Sequence, residues 1–140
     1  MIGGMMNYTI KEIAGLAGVT TRTLRYYDQI GLLPPAEIGG NGYRYYNQDS
    51  LLKLQQILFF RELDVPLNEI QQIMIRPGFD LEGALEDHRA RLQKRSQRLE
   101  TLITTIDQTI ANLHGDRKMT AEELFEGFDE SQYEQEVQER

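Results

Sequence analysis

Thr20-Thr21-Arg22-Thr23-Leu24-Arg25-Tyr26-Tyr27-Asp28-Gln29-Ile30-Gly31-Leu32-Leu33-Pro34-Pro35 is the stretch on which the fold turns. Thr20 or Thr21 can accept a hydrogen bond from the first turn of a helix, Gly31 ends that helix, and the two prolines carry the chain away in extended form. A shorter helix stops only two or three residues upstream. It opens at Thr9-Ile10-Lys11-Glu12, a capping box, runs through Ile10, Ile13, Ala14 and Ala17 at helical spacing, and closes at Gly18. Two short helices around a tight turn are a helix-turn-helix.

The pattern downstream extends this reading. Ala36-Glu37-Ile38 and Tyr43-Arg44-Tyr45-Tyr46 are β-prone, and Gly39-Gly40-Asn41-Gly42 joins them, so a hairpin, or wing, follows the helix pair. Asn47 or Asp49 starts a third helix with Leu51, Leu52, Leu54, Ile57, Leu58 and Leu63 as its expected buried stripe. Asp64-Val65-Pro66 breaks it, and a short fourth helix carries Leu67, Ile70, Ile73 and Met74. Arg76-Pro77-Gly78 is the next break, and a domain boundary is expected there.

Asp80 opens the longest helix, about 34 residues ending near Leu113, or roughly 50 Å at about 1.5 Å per residue. Its inward positions are expected at 81, 85, 88, 92, 95, 99, 102, 106, 109 and 113. Leu81, Leu85, Leu92, Leu99, Leu102, Ile106 and Leu113 form the seam; His88, Arg95 and Thr109 interrupt it. A seam of that length wants a partner helix, and the same helix of a second chain is the economical choice. Thr120-Ala121-Glu122-Glu123 is another capping box, followed by Leu124, Phe125 and Phe128 and a polar ending, too little for a core. The expected fold is mainly α. Residues 7–76 form a winged helix-turn-helix with a small β-hairpin wing, 80–114 a long antiparallel coiled-coil dimerisation helix, and 115–140 an acidic segment opening a further domain. Residues 1–6 carry no pattern.

Charge has to be read by region. The chain carries a net −7, which taken whole argues against a polyanionic partner. Residues 1–60, however, hold five basic and four acidic groups, whereas 115–140 hold three and nine. The acidity therefore sits at the far end, and the basic groups of the N-terminal part are free to cluster on one face. At the start of the second helix, Thr20, Thr21, Arg22 and Thr23 place hydroxyls and a guanidinium where a recognition helix meets base edges, with Arg25 and Tyr26 three to four residues on. Of the tyrosine pair, Tyr26 is expected to reach phosphate and Tyr27 to pack inward. In the wing, Tyr43, Arg44 and Tyr45 are the candidates for phosphate contact. The competing reading of all these groups is an ordinary solvated surface with tyrosines over the core.

Other chemistry finds little support. There is no cysteine, so disulfides and thiolate metal sites are excluded. His88 and His114 have no partners at ligand spacing, and His88 reads as a packing or register residue on the seam. The glycine-rich loop lacks the lysine and following helix of a phosphate cradle. No nucleophile-and-base set stands in a recognisable context. Neither enzyme activity, a cofactor nor a metal is expected. No apolar run approaches the roughly 18 residues that span a bilayer, and no signal-peptide layout opens the chain, which fits a cytoplasmic protein.

Thr23-Leu24-Arg25-Tyr26-Tyr27-Asp28, then Gly31-Leu32-Leu33-Pro34, then Asn41-Gly42-Tyr43-Arg44-Tyr45-Tyr46 closely resemble, in order and spacing, the MerR family of transcription regulators. The resemblance covers residues 7 to about 114, and the 63–73 segment (LDVPLNEIQQI) looks like the family's second wing. Residues 119–140 look like the start of the effector domain of the TipA/Mta branch, whose members sense multiple drugs or thiopeptides. What the resemblance implies is a homodimer on double-stranded DNA at a pseudo-palindromic promoter site with an overlong spacer. The activated dimer bends and untwists that DNA for RNA polymerase. It further implies DNA contacts from Thr20, Thr21, Arg22, Arg25, Tyr26, Arg44 and Tyr45. In the second wing it points to the backbone near Pro66–Asn68, with Arg61 and Arg76 as side-chain candidates. The metal-sensing branches carry cysteines at the ends of the dimer helix, and this chain has none. The implied signal is a small organic effector, sensed only in a longer form. Two other readings compete: an architectural DNA-bending protein, against which the long helix argues, and a coiled-coil interaction module that binds no DNA.

Overall fold

Thr9 ends one element and begins the next. It closes the two-residue strand β1 (Tyr8–Thr9) and caps helix α1 (Ile10–Ala17). Its hydroxyl accepts from the Glu12 amide at 3.1 Å while the Glu12 carboxylate accepts the Thr9 amide at 3.0 Å, so the expected capping box forms. The computed structural model describes residues 7–129. The expectations for residues 1–6 and for the end of the acidic segment, 130–140, lie outside the described residues. The described residues fall into two compact units, divided between His88 and Arg89 within one long helix.

In the first unit, α1 ends at Gly18 and α2 (Thr21–Gln29) starts at once, capped by Thr20. The helices face each other through Ile13, Ala14, Leu24 and Tyr27, all buried. Two strands, β2 (Glu37–Ile38) and β3 (Arg44–Tyr46), make the wing, pairing Glu37 with Tyr45 and Ile38 with Arg44. The sequence reading missed the third strand. β1 adds to the other edge of β3, antiparallel, with Tyr8 opposite Tyr46, giving the order β1-β3-β2. Two residues are too few for alternation to show, and the strand exists only because β3 is there to pair with it.

Helix α3 (Gln48–Glu62) is capped by Asn47, whose side chain accepts from the Ser50 amide at 3.0 Å. Its buried face differs from the expected stripe. Leu54 and Ile57 are inside, and Leu51, Leu58 and Leu63 are half-buried, but Leu52 is exposed and Gln56 and Phe60 are buried instead. The helix is apolar on several sides, so its periodicity cannot single out one face. Helix α4 (Leu67–Met74) starts at Pro66, as expected, and buries Ile70.

Helix α5 (Leu81–Leu113) has the expected length. His88 is a packing residue, as the sequence suggests, and it packs within the first unit: it is buried there, its Nε2 3.0 Å from Gln56 Oε1 and its ring edge-on to Phe60 at 4.4 Å between centroids. That one hydrogen bond links the two polar side chains in the core and draws Gln56 inward, although Gln56 Nε2 has no hydrogen-bond partner among the described residues. In the second unit the chain beyond α5 turns back upon it. The Thr120–Glu123 capping box forms, with bonds of 2.9 and 3.2 Å, and opens a single 3-10 turn at Glu123–Phe125. Among the described residues no helix is long and apolar enough to cross a membrane, and no three metal-binding side chains come together.

Burial raises the phenol pKa of both Tyr27 and Tyr46 above the ordinary 10.0; for Tyr46 the Asp28 carboxylate adds to the effect, partly offset by Arg44 and Arg25. Their contribution to stability is complete below pH 10 and lost as pH rises through the elevated values. The Tyr46 hydroxyl is also buried, without a hydrogen-bond partner among the described residues. Tyr46→Phe is therefore expected to leave stability at pH 7 unchanged or higher by up to about 1 kcal/mol. Tyr27→Phe/Tyr46→Phe should move the alkaline unfolding midpoint upward, followed by circular dichroism between pH 7 and 12.

Candidate nucleic-acid interface

The site is built on α2, whose nine residues show two distinct faces. Leu24 and Tyr27 point into the core, and Arg22, Arg25 and Tyr26 stand on the outside, at one-turn spacing. Tyr27 is 6% exposed and Tyr26 49%, so the pair divides as the sequence suggests, one ring in the core and one in solvent.

The two threonines at the N-terminal end are already engaged. Thr20 Oγ1 accepts from the Thr23 amide at 3.0 Å and lies 2.9 Å from Thr23 Oγ1, so its hydroxyl serves as the helix cap. Thr21 is half-buried, and its hydroxyl takes a long bond of 3.5 Å from Arg25 Nη1. Of the candidates on this helix, Arg22, Arg25 and Tyr26 are the ones whose polar ends are presented outward.

The wing is tied to this helix by a contact that no local pattern announces. Arg44 Nε donates to Asp28 Oδ2 at 2.9 Å, joining β3 to the last turn of α2, with both side chains partly shielded. One N–H of the guanidinium fork is used, and the terminal amino groups carry further donors. Tyr43 sits at the hairpin end, 64% exposed; Tyr45 is half-buried. The Tyr45 ring lies over Gly39, where a Cβ would come within 2.8 Å of its Cε2 and 2.9 Å of Asn41 Oδ1. Asn41 Oδ1 also accepts the Tyr43 amide at 3.0 Å. The loop is thus closed around a residue with no side chain, and its tyrosines are held by it.

A second contact fixes the same end of α2. Gln71 Nε2, on α4, donates to the Ile30 carbonyl at 2.6 Å, just past the helix. Sequence reasoning missed both Asp28 and Gln71, since partners 16 and 41 residues apart leave no local signal. Around the expected second wing, Arg61 Nη1 donates to the Val65 carbonyl at 3.1 Å, bracing the turn before Pro66, while Arg76 is exposed. Pro66 supplies no side-chain cap, so the first amides of α4 near Asn68 have no partner within the helix.

Of the expected dimer positions, Leu81, Leu85, Leu92 and Leu102 are half-buried, and Leu99, Ile106 and Leu113 are exposed. The arrangement offers a surface of guanidiniums, phenols and helix-end amides, suited to a polyanion, and no three metal-binding side chains come together among the described residues.

Comparison with known proteins bears on this surface. Residues 8–76 match the family described as MerR HTH family regulatory protein. The chain is 50% identical over 125 residues to the HTH-type transcriptional regulator SkgA of Caulobacter vibrioides, covering 89% of this chain and 49% of that protein. It is 41% identical over 122 residues to the HTH-type transcriptional activator mta of Bacillus subtilis, covering 87% and 48%. A crystal structure of SkgA from Caulobacter crescentus superposes with a TM-score of 0.87 at 48% identity, over 95% of this chain and 96% of that one. The chain thus spans about half the length of the curated relatives it matches.

The Asp28–Arg44 pair is partly exposed, so its strength is modest despite its geometry. A double-mutant cycle with Asp28→Ala and Arg44→Ala is expected to give a coupling of about 0.5–1 kcal/mol in urea unfolding. A coupling near zero would mean the pair does not hold the wing to the helix.

Proposed function

The chain belongs to the MerR family of helix-turn-helix regulatory proteins, and on that premise we propose that it is a sequence-specific, double-stranded DNA-binding transcription regulator acting as a homodimer in the cytoplasm. The observation that carries the proposal is the two-faced α2. The same helix that buries Leu24 and Tyr27 presents Arg22, Arg25 and Tyr26, with Arg44 of the wing braced beside its last turn through Asp28.

In this reading α2 lies in the major groove. Arg22 and Arg25 read base edges or adjacent phosphates, Tyr26 hydrogen-bonds phosphate, and Tyr43, Arg44 and Tyr45 meet the backbone on one flank. Thr20 acts through the cap it makes, and Thr21 through its contact with Arg25. Two such heads, joined by paired α5 helices, match a pseudo-palindrome. The likeness to mta, named a transcriptional activator, supports activation: the dimer bends and untwists a promoter with an overlong spacer so that RNA polymerase engages both of its elements. Response to an organic effector would reside in the half of the longer relatives that this chain does not match. The domain scheme follows, with 7–76 binding DNA, 80–114 dimerising and 115–140 leading toward the effector region.

Arg22→Ala should weaken binding to a pseudo-palindromic promoter fragment by about tenfold or more and relax preference at one position of each half-site, measured by fluorescence anisotropy. Arg44→Ala should weaken binding across sequences and reduce the salt slope by about 1. Footprinting on the promoter of a neighbouring gene should show protection within the spacer and a hypersensitive centre. Absence of protection at low salt would sink the proposal and leave the coiled-coil module reading in its place.

A further inference from the structure

Resting on the homodimer reading above, we propose that the folded-back segment 120–128 is part of the dimer interface, forming with α5 a two-sided apolar groove that receives α5 of an antiparallel second copy. Two sets of observations within residues 89–129 lead there. The first is a stripe on α5. Leu99, Ile103, Ile106, Ile110 and Leu113 follow at steps of four and three, and are 48, 53, 57, 47 and 77% exposed. Five successive large aliphatics in water on one helix make a heptad seam without its partner.

The second is the way the chain beyond α5 is pinned beside that stripe. Thr105, 6% exposed, shares its one hydroxyl proton between the Glu126 carbonyl at 2.9 Å and the Thr101 carbonyl at 3.0 Å. The Met119 amide donates to Asn112 Oδ1 at 3.0 Å, and Arg117 Nη2 meets Glu123 Oε2 at 2.6 Å. Gly127 has φ +93°, and a Cβ there would lie 3.0 Å from Leu102 Cδ2 and 3.1 Å from Thr101 Cγ2. The segment can lie this close because that residue has no side chain. Its placement brings Leu124 and Phe128 to a groove of about 370 Å³ shared with Leu102, Ile106 and Ile110. Ile106 and Ile110 belong to both groove and stripe, so the two form one surface, and Phe128 remains 54% exposed on it.

Charge identifies the occupant. Residues 89–98 carry five basic groups and no acidic one; 99–113 carry Glu100 and Asp107 and no basic group; 116–129 carry five acidic and two basic. An antiparallel second copy sets the basic third of one α5 against the acidic end of the other, whereas a parallel copy sets like against like. The seam is also self-complementary about a twofold axis. A small apolar ligand would fill the groove and leave Leu99, Ile103 and Leu113 in water.

The test is sedimentation equilibrium of the whole 140-residue chain, with circular dichroism to show that each variant keeps its helix. Ile106→Glu/Ile110→Glu should be monomeric. Leu124→Ser/Phe128→Ser should raise the dimer dissociation constant by about tenfold or more. Gly127→Val, which removes no apolar interface side chain but pushes the segment off Leu102 and Thr101, should do the same while speeding tryptic cleavage after Lys118. If both segment variants dimerise like the parent while Ile106→Glu/Ile110→Glu does not, the role of the segment is overturned and the homodimer stands. If the parent chain is itself monomeric at the highest concentration reached, the homodimer reading falls. Fluorescence of 8-anilino-1-naphthalenesulfonate that the parent dimer enhances and Phe128→Ser abolishes would show the groove open to small ligands, and would also overturn the proposal.

Discussion

Everything at the candidate interface depends on the burial of Leu24 and Tyr27. A helix of nine residues, about two and a half turns, is not stable in water alone and exists because one face is taken into a core. Leu24 is fully inside and Tyr27 nearly so, which leaves α2 no freedom to rotate about its axis. The outward direction of Arg22, Arg25 and Tyr26 follows from that, since residues one turn apart share a face. Packing thus aims the polar groups, and no polar contact need hold them there.

Two polar contacts then set where the neighbouring elements stand. Asp28 draws Arg44, and with it the wing, to the last turn of α2; Gln71 holds the Ile30 carbonyl from α4. Both are side-chain bonds to groups near one helix end, so helix, wing and α4 are registered against a common point. This also explains how a chain of net charge −7 can carry a surface for a polyanion. The relevant field is local, and the acidic excess lies in residues 115–140, on the far side of α5 in sequence.

Helix α5 has its own logic. Its first turns belong to the first unit, where His88 is hydrogen-bonded through Nε2 to Gln56 and packed on Phe60. Beyond, the aliphatic stripe steps from Leu99 through Ile103, Ile106 and Ile110 to Leu113, because the chain's own folded-back segment covers the neighbouring face at Leu102 and Thr105. The heptad period was visible in the sequence; its register around the helix depends on which face the chain covers by itself.

The sequence by itself determined the elements and their order. Capping boxes at Thr9–Glu12 and Thr120–Glu123, the stop at Gly18, the proline starting α4 and the glycine-rich hairpin loop are local hydrogen-bond and steric matters, complete within a few residues, and they read correctly. The candidate arginines and tyrosines were legible for the same reason. The tertiary structure alone decided the third strand at Tyr8–Thr9, the buried face of α3, the interior place of His88, and the Asp28–Arg44 and Gln71–Ile30 links. Each depends on groups far apart in the chain, whose meeting is set by which apolar surfaces close on one another. No periodicity within a single segment contains that information.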